Sequence, residues 1–243
     1  MAMLTTKPTQ AETVCRLIRA EILDGQLPAG AKLNIGALEK RFDVSLGAIR
    51  EALSRLSAEG MVIAESQRGY RVSPVSSAEL LDLTRTRIEV ESLCLAKAME
   101  FGDVEWETRI VAAAHRMERL QDSPADAETR VTPVWSNSHR EFHEALVSAC
   151  PSEWLLRLRN LLHSQSERYR RLSAPLETDT RDVRGEHRRL MQAVLARNQA
   201  AAMRALEAHF FATTEIILKS PLLSPARGAT VEVAKAVASG VSP

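Results

Sequence analysis

No stretch of this 243-residue chain approaches the roughly 20 consecutive apolar residues that a bilayer-spanning helix needs, so a membrane protein is not expected. The opening MAMLTTKPTQ lacks the apolar run of a secretory signal, which makes a soluble, cytoplasmic protein the expectation. Cysteine is scarce: Cys15, Cys94 and Cys150 are odd in number and widely spaced, which suits neither a disulfide framework nor a zinc ribbon and fits a reducing compartment. An excess of charge of either sign is missing too. With a formal net charge of +1 there is no global attraction for polyanions, so any nucleic-acid partner must be recognised by locally organised residues. Aromatic residues make up only 4% of the chain, and the Ala, Leu, Arg and Glu that dominate instead lose little rotamer freedom in helices. The expectation is a mainly α protein, long enough for two domains of the usual ~100–150 residues.

What is present is organised. Val14, Leu17, Ile18 and Ile22 recur at helical spacing between Glu12 and Leu23, and Asp24-Gly25 stops that helix. Pro28, Gly30 and the pair Lys32-Leu33 form a turn into a short helix over 35–42. Ser45 can cap a third helix running to about Glu59, its hydroxyl accepting from a free first-turn N–H, and Gly60 ends it. In that helix Ile49, Leu53 and Leu56 share one stripe, leaving Gly47, Arg50, Ser54 and Arg55 toward the other face. Two short strands over 61–64 and 70–73 flank the turn Ser66-Gln67-Arg68-Gly69. Three helices and a hairpin are the layout of a winged helix-turn-helix, expected over residues 1–75. Ser76-Ser77-Ala78-Glu79 is a capping box that opens a second domain over 76–221, in which six apolar-periodic segments predict a helical bundle. The segment 121–133 reads as a loop, and 222–243 as a disordered tail.

The run LIRAEILDGQLPAGAKL, then VSLGAIREALSRLSAEGMV, then QRGYRV resembles the DNA-binding domain of the GntR family over residues 10–75. The likeness combines a Gly-x-Leu-x-x-Gly-x-x-Leu turn, an Arg-Glu-Ala-Leu helix and an Arg-Gly wing, in that order. Beyond it TRTRIEVESLCLAKA, HREFHEAL, GEHRRLMQAVLARN and MRALEAHF are similar to the FCD domain of the FadR-type branch, extending the resemblance to about residues 10–218. The resemblance implies a transcription regulator, usually a repressor, acting as a homodimer on a double-stranded DNA operator under the control of a small organic acid.

A helix in the major groove reads bases with its first turns, which singles out Ser45, Leu46, Gly47, Ala48 and Arg50, with Arg68 and Gly69 at the wing tip. Leu46 stands where the family often has a base-contacting arginine, and Ala37 where some relatives carry another. Arg50 could instead pair with Glu51 or Ser54. Residues 1–75 hold 10 Lys and Arg against 8 Asp and Glu, a weak local field that leaves specificity to placement and dimerisation.

His139 and His143 lie four apart on one helix and therefore share a face, an arrangement that suits chelation. The resemblance adds His187 and His209 as matches to the FCD metal ligands, with His139 where the family has Asp or Asn. Four imidazoles suit a divalent transition metal such as zinc or nickel; alternatively they serve as hydrogen-bond donors in a branch without metal. Arg87 and Glu91, also four apart, form either an intrahelical ion pair or, as the resemblance implies, a pocket in which Arg87 grips a carboxylate effector. The basic run Arg168, Arg170 and Arg171 around Tyr169 reads as a solvated face. The competing function is a helical metalloenzyme using the histidine cluster, but there is no His-Glu-x-x-His sequence, and it leaves residues 10–75 unexplained. No enzymatic activity is expected.

Overall fold

The computed structural model describes residues 8–66, 68–121, 133–173, 181–219 and 223. As expected, the fold is mainly α. Helix α1 spans Gln10–Leu23, and its start lies two residues before the periodicity suggests because Thr9 and Glu12 form a reciprocal capping box. Asn34 caps α2 (Ile35–Phe42) and Ser45 caps α3 (Leu46–Ala58), each side chain accepting a first-turn N–H. Past α3 the chain must reverse, and Gly60 does so at φ +70, a region where a Cβ is strained.

Lys32-Leu33 is not simply a turn. It is strand β1, which pairs antiparallel with β3 (Gly69–Val72), itself paired with β2 (Val62–Glu65), giving the order β1-β3-β2. The register Glu65↔Gly69 closes the wing hairpin, one residue displaced from the expected strands. Val14, Ile18, Leu38, Ile49, Leu53, Leu56, Met61 and Val72 form the core beneath it. Each such side chain stabilises the fold by about 1.5–3 kcal/mol when fully buried.

Ser76 caps the 25-residue helix α4 (Ser77–Phe101). It is followed by α5 (Val104–Gln121), α6 (Pro133–Val147), α7 (Glu153–Ser173), α8 (Val183–Leu195) and α9 (Gln199–Leu218). These six pack around a second core containing Leu95, Trp106, Ile110, Phe142, Leu190 and Leu206. A bidentate pair, Arg159 Nε and Nη2 each donating to Glu91 at 3.0 Å, joins α7 to α4 in an environment where the two side chains are 1% and 2% exposed. Most of the expected loop 121–133, and all of the expected tail 222–243 except Leu223, lie outside the described residues. No helix among the described residues is long and apolar enough to cross a membrane.

Candidate metal centre and DNA-reading face

Three helices converge their imidazoles on one point. His139 and His143 come from α6, His187 from α8 and His209 from α9; all four are buried, and each offers a ligand atom within 4.8 Å of the others. Ligands bonded to zinc at ~2.0–2.1 Å stand roughly 3.4–4.2 Å apart, so the cluster is slightly wider than a loaded site. The donors fit a metal in a second respect: among the described residues, His139 Nδ1, His143 Nε2 and both nitrogens of His187 have no hydrogen-bond partner. Buried polar atoms normally find one, and a metal would satisfy an otherwise costly set. Burial first, then the neighbouring imidazoles, with Arg170 at His139 and Arg87 at His143, hold both well below the usual imidazole range, leaving them neutral and able to ligate. His187 is held down in the same way, first by burial.

His209 differs because Glu186 Oε2 lies 2.8 Å from its Nδ1. Arg181 grips the same carboxylate at 3.0 and 2.8 Å. Although burial pushes Glu186 up, the bonds from His209 and Arg181 hold it down to about 2. An ionised Glu186 accepts from Nδ1–H and so turns Nε2 of His209, as the free lone pair, toward the cluster. Neither Glu186 nor Arg181 was singled out by sequence. Glu186 does adjoin His187, but its contact with His209 spans 23 residues.

Arg87 does not pair with Glu91, whose two oxygens are taken by Arg159. Its Nη1 donates to Ser166 at 2.8 Å, its Nη2 meets His163 Nδ1 at 3.2 Å, and its guanidinium lies 3.9 Å from the Phe210 ring centroid. Burial pulls it down to about 10, against the charge of Glu91. It has no ion-pair partner among the described residues. Arg87, His139, Ser166 and His209 border one cavity of about 50 Å³, enough for a few water-sized groups. His163, a fifth buried histidine, was overlooked in the sequence, although its spacing from Ser166 on α7 would have put them on one face.

The basic run is not solvated. Arg168 is 3% and Tyr169 2% exposed, while Arg170 and Arg171 both bond Glu167. The last turns of α7 are wedged between the bundle and the winged domain, which is the physical reason the pattern misleads.

On the other domain, Ser45, Leu46, Gly47 and Arg50 are exposed and Ala48 half-buried along the start of α3. The Ser45 hydroxyl is engaged at Ala48 N, 3.2 Å away. Arg50 has no side-chain partner among the described residues, because Glu51 pairs with Arg55 at 2.6 Å. Arg68 is exposed at the wing beside Gly69, whose φ is +91.

The family model for bacterial regulatory proteins of the gntR family matches residues 10–72, and the FCD domain matches residues 82–212. The chain is 38% identical over 212 residues to the HTH-type transcriptional regulator BphR of Paraburkholderia xenovorans, covering 87% of this chain and 86% of that one. It is 34% identical over 209 residues to the HTH-type transcriptional repressor GlaR of Escherichia coli, covering 83% and 93%. In fold it is similar to E. coli McbR/YncC, with a TM-score of 0.71 at 17% identity over 87% of this chain and 98% of that one. A transcriptional regulator from Rhodococcus sp. RHA1 gives a TM-score of 0.68 at 21% identity, with coverage of 87% and 98%. The winged domain, the helical bundle and both family matches make this chain a member of the GntR family of transcription regulators, not an enzyme, with an FCD domain as its C-terminal half.

Proposed function

We propose that the chain is a cytoplasmic, homodimeric repressor whose domain 76–221 binds a divalent metal, zinc or nickel, and a small carboxylate, and whose domain 1–75 reads the operator. The observation that carries the effector class is Arg87, a buried guanidinium without a carboxylate partner among the described residues, on the wall of the cavity that His139 and His209 also border. A planar guanidinium holds a carboxylate through two charge-assisted bonds, which favours an organic acid over a neutral ligand. His139, His143, His187 and His209 are the assigned metal ligands; the metal would supply positive charge beside Arg87. Ser45, Leu46, Gly47, Ala48 and Arg50 would face the major groove, Leu46 giving an apolar contact in place of a polar one, and Arg68 and Gly69 the minor groove. Repression is supported by the name of the E. coli relative, and a dimer by the two-fold operators such winged domains read.

Titration calorimetry with zinc, nickel and a panel of mono- and dicarboxylates, combined with gel shifts on the DNA upstream of its own gene, tests the reading. Arg87→Ala should raise the carboxylate dissociation constant by about two orders of magnitude, equivalent to roughly 2–3 kcal/mol, and leave operator binding intact. Equal affinities in the two proteins would remove Arg87 from the effector site.

A further inference from the structure

Helix α7 has two working faces within its last three turns. His163 and Ser166 hold Arg87 at the cavity. Offset by one residue, Gln165, Arg168 and Arg171 recur three apart and all reach toward the winged domain. The Gln165 amide donates to the carbonyl of Glu59, the residue that ends α3, and lies over Gly60, where an added Cβ would meet it at 2.9 Å. Arg168 Nη2 donates to the Pro74 carbonyl at 2.7 Å, in the segment joining the two domains. Arg171 pairs with Asp24 at the end of α1. Tyr169 completes the junction, its hydroxyl accepting from Ser76 N at 3.4 Å and donating to Glu79 at 2.8 Å.

Arg168 is the anomalous member. At 3% exposure its Nε and Nη1 have no hydrogen-bond partner among the described residues, so of its nitrogens only Nη2 is satisfied there. A buried guanidinium with unmet N–H groups is costly, and any rearrangement that supplied acceptors to Arg168 would recover part of that cost. We infer that α7 is the element that carries the state of the cavity to the DNA reader, with Arg168 as its latch on the interdomain segment; the inference rests on reading that cavity as a ligand site. An anion gripping Arg87 would compete with Ser166 and His163 for its donors, and both are on α7. A ligand acting there acts directly on the helix whose next face holds Glu59 and Pro74, which gives it the differential affinity for two conformations that control requires.

Hydrogen–deuterium exchange of the full-length protein tests this, with malonate alone as the probe and its binding measured separately by calorimetry. In the wild type, malonate should change exchange across residues 46–72 by about threefold or more, reporting altered opening of the reader. Arg168→Met should bind malonate with unaltered affinity and lose that change. Ser166→Ala perturbs the cavity wall without any ligand and should alter the same amides in the wild-type background but not in Arg168→Met. Gln165→Ala, at a less buried contact of the same face, should weaken both responses if Arg168→Met proves poorly folded. If malonate does not bind, the reading of the cavity as its site fails and the Ser166→Ala arm alone decides the coupling. Unchanged exchange at 46–72 in that arm, or equal responses with and without Arg168, would overturn the role of α7.

Discussion

Among the described residues Arg50 and Arg87 both lack a carboxylate partner, and their surroundings separate what each can do. Arg50 is exposed on α3, free because Arg55 occupies Glu51, and a solvated guanidinium there is available to a base edge or phosphate without desolvation cost inside the protein. Arg50→Ala should weaken operator binding by about 1–3 kcal/mol with an unchanged melting curve, read by gel shift at moderate salt; unaltered affinity would take it off the reading face. Arg87 is buried against Phe210 with no ion-pair partner among the described residues, which is tolerable where a ligand supplies one. Glu186 works at one remove, through His209. Replacing it by Gln keeps the shape but removes the charge that fixes the imidazole, so Glu186→Gln should lower zinc affinity about 10–100-fold by competition with a chromophoric chelator. An unchanged affinity would reduce the contact to a structural one.

Between helices, Glu91 and Arg159 form a bidentate tie buried at both ends. Because both ends are buried, removing one partner strands a charge, and Arg159→Ala should cost about 3–5 kcal/mol in urea unfolding, whereas Glu91→Leu with Arg159→Met should cost far less. If the double replacement is as damaging as the single one, the pair contributes through its hydrogen bonds rather than through charge compensation. The same pair marks where sequence reading stops. Helix α8 was legible to its end residues, and the caps at Ser45 and Ser76 were legible as well, since periodicity and caps are local properties. The four clustered histidines were legible partly from the i, i+4 spacing and partly from family resemblance. Strand β1 was not, because two residues become a strand only by pairing with Tyr70 and Arg71. Nor were the partner of Glu91, 68 residues away, or the burial of Arg168, both set by how α7 packs. Local chemistry names the candidates; helix packing decides their partners.

For the whole molecule, the histidine cluster joins α6, α8 and α9, so any metal held there binds the folded state alone and must stabilise it. Zinc at about a thousand times its dissociation constant would add about 4 kcal/mol and raise the melting temperature, and EDTA should reverse the rise. The metal-free protein carries its own pH signature. Burial first, then the neighbouring imidazoles of the cluster, and with them Arg170 on α7 at His139, Arg87 on α4 at His143, and Arg181 before α8 and Arg170 at His187, hold the three below their ordinary value of 6.5, with Glu186 opposing at His187. The unfolded chain takes up protons at these residues from about pH 6.5 downward while the folded chain does not. Stability from their neutral burial is therefore fully present above that pH and is lost as the pH falls toward their folded values. Calorimetric melting in EDTA should be level above pH 7 and decline toward pH 5, with a shallower decline in His187→Gln, which removes one of the titrating groups. Protons also compete with metal for the same nitrogens, so the gap between the zinc-loaded and EDTA curves should narrow over the same range. A melting temperature that stays level from pH 7 to 5 in EDTA would mean that the imidazoles protonate without opening the bundle, and the neutral donor set on which metal binding depends would be lost with it.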